Sequence, residues 1–93
     1  MKINVKVNQT FEDEKRLKAF TTVFLDNQFL ITGVRVVDCK NGLCVMMPAR
    51  QDNKGEYRDV CFPITPQLRE QINNAVLSAY EKHLKEQADE LAD

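Results

Sequence analysis

The hydrophobic period of this chain changes once, at Thr65-Pro66. Before that point apolar residues alternate with polar ones in short runs. After it, Leu68, Ile72, Ala75, Val76, Ala79, Tyr80 and Leu84 recur at helical spacing and form a single stripe. Threonine is a good N-cap, and proline loses nothing at the first helical position because its missing N–H would be unpaired there anyway. Strands followed by one helix predict an α+β fold, an antiparallel β-sheet of about five strands with a C-terminal α-helix. One helix covers only one face of such a sheet, so the other face needs a separate account.

The alternation is cleanest at residues 2–8, where Ile3, Val5 and Val7 share one face. "QTFEDEKR" follows as a charged connection. Residues 17–25 form the second expected strand, with Leu17, Ala19, Val23 and Leu25 on one side and Phe20 and Phe24 on the other. Asp26-Asn27 is a turn signal, and residues 28–38 read as a third strand in which Phe29, Ile31 and Val37 alternate with Leu30, Val34 and Val36. Gly33 in mid-strand marks a bulge or the close approach of another backbone. Asn41-Gly42 signals the next turn. Residues 43–47 and 57–62 complete the strands, with a loop over 48–56.

Strands two and three thus carry apolar residues on both faces. In a chain this short a second copy is the simplest cover, which predicts a homodimer joined through strands at Phe20, Phe24, Leu30, Val34 and Val36. The alternative is a sheet that curls on itself in a monomer. Residues 1–84 read as one domain and 85–93 as an acidic, frayed tail.

Net charge is −1, but it averages unlike regions. Residues 1–80 hold eleven Lys/Arg against nine Asp/Glu, or +2, and residues 81–93 hold two against five, or −3. The body can therefore present a basic patch although the whole is acidic. No stretch approaches the roughly 20 apolar residues of a membrane span, and the alternating N-terminus lacks the apolar run of a signal peptide. Three cysteines without an export signal predict reduced thiols in a cytoplasmic protein.

Catalytic patterns are absent, and no enzyme activity, cofactor or small-molecule substrate is expected. Gly33, Gly42 and Gly55 are too far apart for a phosphate loop. His83, the one histidine, reads as a solvated helix residue beside Lys82 and Glu86. Cys39, Cys44 and Cys61 lack the second ligand pair a structural zinc needs, and Cys44 and Cys61 fall inside apolar strand patterns, so no metal is expected. Asp38 and Asp59 read as surface residues near Arg35 and Arg58, with no nucleophile beside them.

The segment "VMMPARQDNKGEYRDVCFPI" (45–64) stands apart. Arg50, Lys54 and Arg58 lie on or beside one loop between apolar runs, and Arg69 lies in the first turn of the following helix, where a cation opposes the helix dipole. Such a cluster suits an anion, and amides at the helix start could add to it. The plainer reading is a solvated hairpin tip, with Arg58 paired to Glu56 or Asp59.

Several blocks in order, Arg35-Val36-Val37-Asp38, Asn41-Gly42-Leu43, Met47-Pro48 and Gly55-Glu56-Tyr57-Arg58-Asp59, resemble the SpoVG family of bacterial septation and sporulation regulators, from about Ile3 to Tyr80. The resemblance implies a small cytoplasmic protein with a β-sheet and C-terminal helix, dimerisation through strands, binding to DNA and in some members RNA, and roles in septum formation, cell division, sporulation and transcription regulation. Two departures stand out. The family often carries a denser basic loop after Met-Pro, where this chain has Ala49-Arg50-Gln51-Asp52, and often a histidine where this chain has Cys61-Phe62-Pro63.

Two expectations follow. In the first, the chain is a dimeric nucleic-acid-binding regulator whose Arg50, Lys54, Arg58 and Arg69 neutralise phosphates. In the second, it is a dimeric protein–protein interaction module in cell-division control without direct nucleic-acid binding, docking through its acidic tail or a sheet edge.

Overall fold

Period-two patterning becomes a four-stranded antiparallel meander. The computed structural model describes residues 1–11 and 16–91, with side chains as far as Gln87. In it β1 (Ile3–Thr10), β2 (Leu17–Leu25), β3 (Phe29–Cys39) and β4 (Gly42–Met46) pair in chain order. Most of the charged connection between β1 and β2 lies outside the described residues. The β2–β3 turn places Asp26 and Asn27 at φ 52 and 56, the left-handed pair of a tight hairpin turn that short polar side chains tolerate. Asp26 also ties this turn to the start of β1, its Oδ1 accepting the Lys2 N–H at 2.6 Å. The β3–β4 tip is Lys40-Asn41, and Gly42 opens β4 opposite Cys39.

The third strand holds the main departure from simple alternation. Thr21 pairs with Val34 and Val23 with Ile31, so β3 carries one extra residue at Thr32-Gly33, with Gly33 at φ 76. This is a β-bulge, and it reverses the phase of the strand. Ile31, Val34 and Val36, which strict alternation would split between two faces, all join the core beneath the helix. The same glycine admits a close neighbour, since a Cβ there would lie 3.8 Å from Pro48 Cβ.

The bulge corrects the expected dimer surface. Val34 and Val36 are 0 % exposed, so a second copy cannot reach them. Phe24 and Leu30 pair directly on the face turned away from the core, and Phe20 shares that face. Phe11 adds an edge-on ring to Phe20, with centroids 5.7 Å apart.

One long helix, α1 (Pro66–Leu91), covers the other face. Its buried Ile72, Val76 and Tyr80 meet Ala19, Val23, Val34 and Val36 from the sheet, with Met47 closing one end. Each such Val or Ile contributes roughly 1.5–3 kcal/mol by leaving water. Burial, and secondarily the Asp38 carboxylate, pushes the Tyr80 phenol up. Thr65 caps the helix as expected, its hydroxyl accepting the Leu68 N–H at 3.2 Å. No described helix is long and apolar enough to cross a membrane.

The loop expected over 48–56 is itself structured. Strands β5 (Ala49–Gln51) and β6 (Tyr57–Asp59) form a separate hairpin, making six strands in two sheets among the described residues. β6 ends at Asp59, short of the expected residue 62. The Val60 N–H donates to the Pro48 carbonyl at 2.8 Å, and the chain then runs irregularly to the helix.

Candidate nucleic-acid interface

The hairpin register decides where its charges point. Ala49 faces Asp59, Arg50 faces Arg58 and Gln51 faces Tyr57. Alternation therefore sets Arg50 and Arg58 on one surface and Tyr57 and Asp59 on the other. Two arginines directly opposite each other repel, which costs the hairpin stability.

Asp52 holds the tip together. Its Oδ1 accepts the Lys54 and Glu56 N–H groups, each at 2.9 Å, and its Oδ2 accepts Arg58 Nε at 2.8 Å. The Asp52 N–H in turn donates to the Glu56 carbonyl, and Gly55 completes the turn at φ 82. The Arg58 guanidinium first, then the Glu56 N–H, hold the Asp52 carboxyl below the usual carboxylate range. Asp52 thus does more than dilute the charge of the loop. It fixes the geometry, and it engages Arg58, which also lies 3.7 Å from Glu56. The expected partner Asp59 is on the opposite surface.

The other three cations have no carboxylate within 4 Å among the described residues. Arg50 projects from the Arg58 surface, and Lys54 lies on the tip. Arg69 lies apart from both. It lines an open cleft of about 620 Å³ between hairpin and helix with Tyr57, Arg58, Asp59 and Phe62. Asp59 and Arg69 also line an adjoining depression that reaches Arg35, Met46 and Asn73. The first turn of α1 holds no acidic residue to offset the Arg69 charge. Its amides offer little to an anion, because Pro66 has no N–H and Thr65 occupies that of Leu68.

The four expected site residues therefore do not form one cluster. Arg50 and Arg58 share one surface of the hairpin with Lys54 at its tip, and Arg58 also lines the cleft that holds Arg69. Sequence reasoning missed Tyr57 and Phe62 as parts of that cleft, and Arg35 and Asn73 as parts of the adjoining depression. Arg35 left a signal, a lone charge inside the apolar run "GVRVV". Asn73 left none, being an ordinary polar helix position.

The remaining polar candidates do not converge. Among the described residues no group of three or more His, Cys, Asp or Glu could hold a metal ion. His83 is half-buried in a shallow groove beside Val5 and Val7, less exposed than its charged neighbours in sequence suggest. Cys39, Cys44 and Cys61 are free thiols, and a side-chain hydrogen bond with Cys39 that favours the protonated form, ahead of burial, pushes the Cys44 thiol up.

The SpoVG family profile matches residues 1–82, nearly all of the sheet, the hairpin and most of the helix. The chain belongs to the SpoVG family. It is 46 % identical over 71 residues to the SpoVG protein of Heliobacterium modesticaldum, covering 76 % of this chain and 80 % of that one. It is 40 % identical over 74 residues to that of Clostridium botulinum (strain Alaska E43 / Type E3), covering 80 % and 81 %. With the SpoVG protein of Caldanaerobacter subterraneus subsp. tengcongensis it shares 37 % identity over 82 residues, covering 88 % and 90 %. These relatives carry the word septation in their names. In this SpoVG chain, Gly55 to Asp59 supply the tip and β6, Pro48 lies beside Gly33, and Arg35 lines the depression that adjoins the cleft.

Proposed function

We propose that this SpoVG chain is a non-catalytic, dimeric regulator in septation that binds nucleic acid through its hairpin and helix start. The observation that carries this reading is the set of cations the fold leaves uncompensated. Arg50, Lys54 and Arg69 have no acidic partner among the described residues, Arg50 is held against Arg58, and Arg69 opposes the helix dipole at a cost of about 0.3–1 kcal/mol. None of these placements stabilises the monomer. All of them suit phosphates, and a dimer would present the set twice. Phosphate contacts position a protein without reading bases, so a regulator built on them alone would bind many sequences.

The dimer reading rests on the sheet face opposite the helix, where Phe20 and Phe24 are only half-buried and Leu30 is exposed. Septation as the cellular setting comes from the names of the relatives. The cytoplasmic, gene-regulatory setting comes from the family resemblance.

A second reading has its own support. β1 is an edge strand, and Val60, Phe62 and Ile64 expose apolar side chains. Both suit a protein-docking module that does not touch nucleic acid.

Salt titration separates the two readings. Fluorescence anisotropy with labelled oligonucleotides at several salt concentrations is expected to show steep salt dependence. Changing Arg50, Lys54 and Arg69 together to Ala is expected to flatten the slope by roughly one per lost phosphate contact. Absence of binding at low salt would overturn the nucleic-acid reading in favour of the docking module.

A further inference from the structure

The cleft behind the hairpin contains groups that phosphate binding does not explain. Tyr57 is 75 % exposed and Phe62 58 % exposed, and both line the same cleft as Arg69. Across the hairpin Tyr57 faces Gln51, so no apolar cross-strand neighbour supports its ring. Asp59 lines the same cleft, with no Lys or Arg nitrogen within 4 Å among the described residues. A carboxylate repels phosphate, and an exposed aromatic ring gains nothing from it. In a groove meant only for a sugar–phosphate backbone both groups are liabilities.

We propose that this cleft receives an unpaired base, and that the preferred ligand is single-stranded nucleic acid. The inference rests on the nucleic-acid reading above and sharpens it. Aromatic rings stack on any exposed base face, whereas a duplex hides those faces in its own stack. Tyr57 and Phe62 supply the stacking surfaces. Asp59, an acceptor without a partner, takes an amino or imino N–H from the base edge, and the carboxamide of Asn73 further along can both donate and accept. Arg58 and Arg69 line the same cleft for the flanking phosphates, and Arg35 lies in the adjoining depression. The cleft volume of about 620 Å³ falls within the roughly 300–1,000 Å³ typical of ligand sites.

The test is anisotropy titration of one oligonucleotide sequence as single-stranded DNA, single-stranded RNA and blunt duplex, with inorganic polyphosphate as a base-free competitor. The full chain would be compared with Tyr57→Ala, Tyr57→Phe and Phe62→Ala. The wild type is expected to bind the single strands more tightly than the duplex, with polyphosphate a poor competitor. Tyr57→Ala is expected to weaken single-strand binding by roughly 5- to 150-fold, the range for one lost stacking contact. Its salt slope and duplex affinity should be unchanged, and Tyr57→Phe should behave as wild type. Tighter binding of RNA than DNA would add a ribose contact, and equal binding would place the contacts on base and phosphate; both uphold the stacking. Wild-type affinity in Tyr57→Ala, or equal affinity for duplex and single strand, overturns this inference while leaving the nucleic-acid reading intact. If no nucleic acid binds even at low salt, both fall together.

Discussion

Arg58 reaches along its own hairpin to Asp52, Nε to Oδ2 at 2.8 Å, while Asp52 Oδ1 simultaneously accepts two backbone N–H groups of the tip. One carboxylate therefore shapes the loop and partly neutralises one of its arginines. Arg58 remains largely exposed at its side chain, 70 %, so the contact orients its guanidinium without burying it. The loop presents its cations from a defined frame, and this separates it from an ordinary solvated tip.

That frame is pH-dependent. Asp52 is held below its usual value of 3.8, chiefly by Arg58, so the carboxylate favours the folded hairpin. Its contribution is complete above the unfolded value and is lost as pH falls below 3.8 through the folded one. Two-dimensional NMR across an acid titration is expected to show the Lys54 and Glu56 amides losing protection together, with a midpoint under 3.8. In Asp52→Ala, which leaves no side-chain acceptor for them, the same amides should be poorly protected at every pH.

Arg50 and Arg58 face each other across the hairpin. Replacing Arg50 with Thr removes the repulsion and is expected to stabilise the hairpin by about 0.2–1 kcal/mol. The same change should lower nucleic-acid affinity and reduce its salt slope by about one. Amide exchange on β5 and β6, measured beside an anisotropy titration, checks the opposite signs.

Gly33 sits at φ 76 where a Cβ would meet Pro48 only at ordinary contact distance. Gly33→Ala is therefore expected to cost about 1–2 kcal/mol, the backbone penalty of a left-handed L-residue, without a steric clash. Larger damage in urea denaturation would mean that the bulge itself had shifted register.

Ile72 lies in the core at 2 % exposure, and Ile72→Ala is expected to cost about 2–5 kcal/mol. Thr65→Ala removes one capping bond and is expected to cost about 1 kcal/mol. Denaturant midpoints for the two variants should differ accordingly.

The sheet face bearing Phe20, Phe24 and Leu30 provides a test of assembly. Sedimentation of the wild type is expected to give twice the chain mass of 10.7 kDa, and Leu30→Glu to give a folded monomer. Val34→Glu should unfold the chain, because that residue is sealed under the helix. A wild type sedimenting as a monomer would remove the dimer.

Much of the fold was legible in the residues because its signals are local. Apolar runs bounded by turn signals marked all four strands of the main sheet, Asp26-Asn27 marked the turn between β2 and β3, and Thr65-Pro66 marked a capped helix start. Gly33 signalled a bulge or a close backbone approach, and it sits in a bulge. Its consequence could not be read, because one extra residue reverses the phase of everything after it. Alternation alone left Ile31 and Val34 on opposite faces when packing unites them. The short β5 strand also escaped, since three polar-rich residues carry no period of their own.

The candidate site divides in the same way. The sequence by itself determined which residues carry charge and that Arg50, Lys54 and Arg58 share a loop. Only the tertiary structure decided that Arg58 belongs to Asp52, that Arg69 shares a cleft with Tyr57, Arg58, Asp59 and Phe62, and that Arg35 and Asn73 line the adjoining depression. Periodicity fixes the face a side chain takes within its own element. The partner across a cleft depends on how separate elements pack, and no local pattern encodes that distance.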